Sequence, residues 1–346
     1  MTRVVDVHAH LIVPEVEATV ASQPGLAAQR ALDARRNGAE SMAASGRMVA
    51  ARLGQLTDVR RRLADMDGAG VDVQVLSPSP SQYHYWADSA LARVVCRSAN
   101  RGVGAVIAAA PTRFLGLGLV PLQHPELCVE LLEDAVGCGL TGVEISSHAP
   151  ESDGVGTVEL SDDRLEPLWA RAAELGAVVF LHPFGCTLDE RLDRFYLSNT
   201  VGQPVENAVA LSHLIFAGVL DRHPNLRLLA AHGGGYLPTF LGRSDHAWAV
   251  RPEARACQHP PSSYLRRLWF DSLVHTPEAL RALVHAVGAD RVLLGSDFPF
   301  DMGVADPVER LQAASLGADA EHAITTANAA ALGLLPAFTH QETARA

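Results

Sequence analysis

Paired cysteines are missing from this sequence of 346 residues: the five present, Cys96, Cys128, Cys138, Cys186 and Cys257, are scattered and odd in number. Without zinc-finger or redox spacing they exclude a disulfide framework and a cysteine-based metal site, and imply reduced, mostly buried thiols. Also missing is any run of about 18 uncharged apolar residues, so no membrane span is expected. The opening residues, MTRVVDVHAHLIV, enter a His-containing strand at once, with no apolar segment leading to a small-residue cleavage site. A cytoplasmic location is therefore expected. Positive charge is in short supply, the formal net charge being -11, which argues against nucleic acid or anionic membrane as partners. No internal repeat or low-complexity stretch stands out, and only the tail from about residue 335 looks frayed.

What is present is the balance of a folded protein, 48% hydrophobic and 19% charged. Short apolar runs recur at 4–10, 71–77, 114–122, 141–146, 177–183, 226–234, 267–273 and 291–298, eight candidate strands. Their near-continuous apolar character suits parallel strands covered on both faces. Helical patterns lie between them at 58–69, 86–109, 125–139, 161–175, 201–222 and 277–288. Eight alternating units, with no Gly-rich phosphate turn after the first strand, predict an α/β chain folded as a (β/α)8 TIM barrel. Residues 14–57 and 184–204 break the rhythm after strands one and five. They are read as a lid or substrate-binding insertion and a second insertion at the barrel mouth, within one domain spanning 1–346.

The chemistry-bearing residues collect at strand ends. Asp6-Val7-His8-Ala9-His10 sets two histidines at i and i+2, on one side of a strand and close enough to share an ion. Such a pair in a chain with 15 histidines can also arise by chance. Three further strand ends change the balance: His182 closes strand five in LHPFG, His232 closes strand six in AAHGGG, and Asp297 closes strand eight in GSDFPF. Barrel enzymes place their catalytic groups at this end of the strands. Imidazoles joined by a carboxylate suit zinc or a similar divalent metal.

These segments, with MDGAGVDVQV at 66–75, VPLQ at 120–123, HGGGYLPTFLGRSDHAW at 232–248, PPSSYLRRLWFDS at 260–272 and DRVLLGSDFPF at 290–300, carry a resemblance along nearly the whole chain. The sequence resembles the amidohydrolase superfamily (amidohydrolase-2 type), and within it the 2-amino-3-carboxymuconate-6-semialdehyde decarboxylase branch. The resemblance implies one metal, zinc with manganese as the alternative, bound by His8, His10, His182 and Asp297. Asp297 also counts among the catalytic residues, and His232 stands beside the metal as catalytic base or acid. Strand four carries Glu144 where binuclear relatives carry a bridging lysine, which favours one metal over two. Gly233, Gly234 and Gly235 are expected to let the backbone sit close beneath a ligand.

Arg243, in LGRSDHAW, matches an arginine that in similar decarboxylases reaches the substrate carboxylate across a homodimer interface; its plain alternative is a surface helix arginine. The family's second carboxylate-binding arginine aligns here with Ala50, flanked by Arg47 and Arg52, of which Arg47 is the expected contact. Phe184 stands where close relatives have Trp and alters the wall of the site. His148 is read as a satisfied loop histidine. The implied activity is non-oxidative decarboxylation of an unsaturated or aromatic carboxylate, a small-molecule substrate. The alternative is a hydrolase or hydratase acting on a lactone, amide or conjugated acid, and a non-catalytic binding scaffold is the weakest reading.

Overall fold

The computed structural model describes residues 3–336. The expectation for the tail lies, from residue 337 onward, outside the described residues. Eight strands form one sheet: β1 (Val5–Leu11), β2 (Val73–Pro78), β3 (Phe114–Leu119), β4 (Gly142–Ile145), β5 (Val178–Leu181), β6 (Arg227–Ala230), β7 (Trp269–Asp271) and β8 (Val292–Leu293). Each pairs in parallel with the next in chain order. The ends meet where Val7 N–H donates to Leu294 O at 2.8 Å, Asp297 N–H to His8 O at 2.8 Å and His10 N–H to Phe298 O at 2.7 Å. The expected barrel is the fold observed.

Val5, Val7, Val73, Val75, Leu117, Val178, Phe180 and Leu229 fill the barrel interior, and Leu332 and Leu334 join them from the C-terminal end of the described chain. Burying each large aliphatic or aromatic side chain contributes about 1.5–3 kcal/mol. Alternation in β1 is interrupted: Val5 and Val7 face the interior, yet Ala9 and Leu11 belong to the outer layer under the helices. A register shift between Asp6 and Ala9 marks a β-bulge, which reverses the alternation and turns His8 and His10 inward at the rim.

The segment 14–57 is helical: α1 (Pro14–Val20), α2 (Pro24–Asn37) and α3 (Ala39–Thr57). α2 buries no residue and α3 only Leu56, the pattern of a cover over a cavity rather than of a core layer. α4 (Val59–Gly68) returns the chain to the barrel, opened by Asp58 Oδ1, which accepts from the backbone N–H groups of Arg60 and Arg61. The outer ring continues with α5 (Ser89–Ala109), α6 (Pro125–Gly137), α7 (Glu166–Leu175) and α8 (Gln203–Phe216).

Three details depart from the sequence reading. Strand six stops at Ala230, and His232–Gly234 forms a tight turn instead of continuing it. A helix not anticipated, α9 (Leu237–Val250), follows that turn, before α10 (Pro277–Val287). His148 begins a two-stranded hairpin, His148–Pro150 with Thr157–Glu159, beyond β4.

Candidate metal centre and active site

His8, His10, His182 and Asp297 come together at the C-terminal rim, their ligand atoms all within 4.8 Å of one another and all four residues buried. Each imidazole is oriented through its other nitrogen. His8 Nδ1 lies 2.6 Å from Asp271 Oδ2, His10 Nδ1 lies 3.1 Å from Ser77 Oγ, and His182 Nδ1 lies 3.1 Å from Pro183 O. With Nδ1 so engaged, Nε2 is the free ligand atom on each ring. The Nε2 atoms of His8 and His10 approach to 3.1 Å. His182 Nε2 and Asp297 Oδ1 are buried without a hydrogen-bond partner. Orphaned buried donors and acceptors of this kind are rare in native proteins. Three nitrogens and a carboxylate oxygen converging at such a point fit a divalent cation.

The electrostatics favour the required protonation states at His182 and Asp297, whereas at His10 burial is outweighed by the charges of Glu144 and Asp297, which raise the pKa. Burial, with the His10, His232 and His8 rings nearby, pushes the His182 pKa well below its ordinary value, leaving a neutral ring. Burial works to raise Asp297, but the charge of His8 and the nearby His10 and His232 rings hold it well below the usual carboxylate range. The backbone below is pinned by Arg62, itself buried, which donates to Gln74 Oε1 and to the carbonyls of His10 and Gln55. Its desolvation lowers the guanidinium pKa to about 10. Glu144 is fully buried, accepts from Tyr83 Oη at 2.6 Å and stands 3.7 Å from His10 Nδ1. The sequence contains no lysine at all, so no bridging lysine is available on β4 or on any other strand.

His232 sits apart from the cluster, its Nε2 3.9 Å from Asp297 Oδ2 and its backbone N–H donating to Asp271 Oδ2 at 2.9 Å. Burial by itself would lower its pKa; the neighbouring carboxylates of Asp297 and Asp271 outweigh that and raise it. The glycines after it serve packing: a Cβ on Gly235 would fall 2.2 Å from Pro204 O, and one on Gly233 2.5 Å from Val274 Cγ1. Both also adopt positive φ, which a side chain disfavours. His232, His275 and Asp297 adopt φ of 53°, 65° and 57°, a left-handed conformation uncommon outside glycine and concentrated at functional sites.

Above the cluster lies a cavity of about 690 Å³, lined at its deep end by His182, His232 and Asp297 and covered by α2 and α3. Phe184 lines it and is 41% exposed. Arg243, on α9, and Arg47, on α3, are exposed and do not line it; Arg52 and Ala50 do not line it either. Three residues were missed by sequence reasoning. Asp271 ends β7 at the same rim of the barrel as the ligands. His275 and Tyr196 line the cavity from loops, where no periodicity marks them.

The fold and site define a (β/α)8 barrel whose C-terminal rim gathers histidines and an aspartate able to hold a divalent cation. The chain belongs to the amidohydrolase family, whose model matches residues 5–332. It is 36% identical over 254 residues to 2-amino-3-carboxymuconate-6-semialdehyde decarboxylase of Dictyostelium discoideum, covering 72% of this chain and 69% of that one. It is 30% identical over 351 residues to the Caenorhabditis elegans enzyme of the same name, covering 87% and 86%. A crystal structure of dihydroxybenzoic acid decarboxylase from Polaromonas, with bound manganese and the inhibitor 2-nitroresorcinol, superposes with a TM-score of 0.79 at 23% identity over 96% of this chain and 97% of that one. The chain is an enzyme of the carbon–carbon lyase type. Among the described residues no helix is long and apolar enough to cross a membrane.

Proposed function

We propose that the protein removes carbon dioxide, without redox chemistry, from an unsaturated or aromatic carboxylic acid. In this reading His8, His10, His182 and Asp297 hold one divalent cation, and His232 transfers the proton. The observation that carries it is the convergence of three imidazoles and a carboxylate beside a fourth imidazole at the floor of the cavity. When bound, the cation polarises a substrate oxygen and draws electron density from the bond that breaks. The donor set suits zinc, and manganese is the alternative carried by the Polaromonas relative.

His232 then supplies a proton to the carbon from which carbon dioxide departs. An imidazole can hold and release a proton near neutral pH. Asp271 holds the His232 backbone and the His8 ring in one arrangement. The exposure of Arg243 outside its own cavity supports a carboxylate contact made to the site of a second copy, in a homodimer. Arg47 serves the substrate in the same cross-subunit sense or as lid surface.

The test is product analysis. Metal-loaded enzyme is expected to release carbon dioxide in step with consumption of an ortho-hydroxylated aromatic acid, whereas water-added or hydrolysed products without carbon dioxide would establish the hydrolase or hydratase alternative. His232→Ala is expected to keep its metal and lose ~10²–10⁴-fold in activity. Loss of metal in proportion to activity would move His232 into the ligand set.

A further inference from the structure

The cavity is much larger than one aromatic ring requires. An apolar cavity of about 150 Å³ suffices for benzene, whereas this one measures about 690 Å³, within the ~300–1,000 Å³ range of pockets that take drug-sized ligands. The surplus lies under the cover. Met42, Ser45, Met48 and Val49 line the cavity from α3 at helical spacing, so one face of that helix looks down on the site. Phe300 and Met302, beyond β8, line it as well. Methionines give such a wall an adaptable, polarizable surface.

The charge of the lining is equally one-sided. Among the described residues it contains no arginine, yet it includes Asp33 and Asp301 in addition to Asp297. Burial raises the pKa of Asp33, as expected for a carboxylate facing an apolar space. The remaining polar lining away from the metal cluster is neutral, as at Tyr196, Asn199, Thr200 and Gln203. A carboxylate projecting toward the cover would meet the half-buried Asp33, with Arg36 beside it, and the exposed Asp301, and the chain's own lining offers no cation to receive it. Arg243 from a second copy could bring one guanidinium, enough for one carboxylate.

We infer that the substrate is a monocarboxylic aromatic acid with a bulky, uncharged apolar extension, such as a second fused ring or an alkyl substituent, lodged between α3 and the segment that follows β8. This rests on the decarboxylase reading for the reaction and on the cavity alone for the shape and charge of the ligand.

Calorimetric binding to the metal-loaded His232→Ala enzyme tests it with turnover suppressed, and carbon dioxide release is followed in parallel with the unaltered enzyme. The probes are 2-hydroxybenzoate, 1-hydroxy-2-naphthoate and 4-hydroxybenzene-1,3-dicarboxylate. The naphthoate is expected to bind at least ~10-fold more tightly than the single-ring acid, about what one extra buried ring face can supply, and the dicarboxylate more weakly than either. Val49→Trp, which fills the space, is expected to cut the naphthoate's advantage at least ~10-fold. Met302→Trp does the same from the opposite wall if the α3 variant fails to fold. Asp33→Asn combined with Asp301→Asn is expected to recover binding of the dicarboxylate. Equal affinities for one ring and two, or a preference for the dicarboxylate with Asp33 and Asp301 intact, would overturn the inference. The expected binding order without carbon dioxide release would keep the ligand class and overturn only the reaction.

Discussion

Asp271 Oδ2 serves two histidines at once: it lies 2.6 Å from His8 Nδ1 and accepts the backbone N–H of His232 at 2.9 Å. Its other oxygen accepts the Gly233 N–H at 2.9 Å and the Leu273 N–H at 3.1 Å. One carboxylate thus fixes the ring of a metal-ligand candidate and the turn that presents the proton-transfer residue. Burial works to raise its pKa, but the His8 hydrogen bond and charge hold it below the ordinary value.

Asp271→Asn should weaken metal affinity by about 10–100-fold, the usual cost of losing a partner that orients a ligating histidine. Titration of apo-protein with zinc, followed by competition with a chromophoric chelator, measures it. Affinity equal to that of the unaltered protein would remove Asp271 from the site's support.

Metal content should be close to one ion per chain, because the cluster offers one set of four ligand atoms and the chain has no lysine to bridge a second ion. Elemental analysis of protein purified without chelator gives the stoichiometry, and chelation followed by addition of zinc or manganese gives the dependence of activity. A value near two, or full activity without metal, contradicts the single-ion site.

Arg243→Ala should raise KM steeply with metal content unchanged, since removing one partner of a desolvated guanidinium–carboxylate pair costs about 2–5 kcal/mol. Mixed dimers of Arg243→Ala and His232→Ala chains should regain activity above either parent, because the site with intact His232 receives its arginine from the other chain. Mixed dimers verified by mass that show no recovery would confine Arg243 to its own subunit or remove it from the site.

Glu206 gives a pH-dependent stability. Its carboxylate accepts from Thr187 N–H at 2.9 Å, Thr187 Oγ1 at 3.0 Å and Ser147 Oγ at 3.1 Å, and stands 3.0 Å from His148 Nδ1. Although burial works to raise its pKa, His148 and the Thr187 bonds bring it down to about 2 from an ordinary 4.5. A depressed folded-state pKa stabilises the fold above the unfolded value, and the stabilisation disappears as pH falls through the folded one. Glu206→Gln should therefore be less stable by about 2–3 kcal/mol at pH 7. Urea unfolding curves should show this gap constant above about pH 5 and closing toward pH 2. A gap that widens on acidification contradicts the assignment.

The barrel was legible in the sequence because parallel strands buried on both faces leave apolar runs, and all eight runs became strands. The four clustered side chains were legible because they gather at the C-terminal ends of three strands, His8 and His10 in β1, His182 just after β5 and Asp297 four residues past β8. Asp271 obeys the same rule inside LWFDSL, yet an aspartate on a strand end carries no mark of its own until the histidine it faces is known. His275 and Tyr196 come from loops, whose path is set by packing over the cavity mouth rather than by period. The exposure of Arg243 and Arg47 follows from which face of a helix meets the barrel, and short amphipathic patterns on a cover helix such as α3 do not encode that.

The β-bulge in β1 works as a phase shift. Below it, the strand is written in the alternation of the barrel's packing; above it, in the alternation of its chemistry. Straightening the bulge with every residue kept would impose a single phase on β1 and rotate His8 and His10 out among the helices, while Val5 and Val7 stayed where they are. The lower barrel and the rim are in this sense separately editable: valines beneath the bulge can be exchanged for other apolar residues in repacking or in evolutionary drift without re-aiming the imidazoles. Loss of the bulge with the sequence otherwise intact is the change the rim cannot absorb.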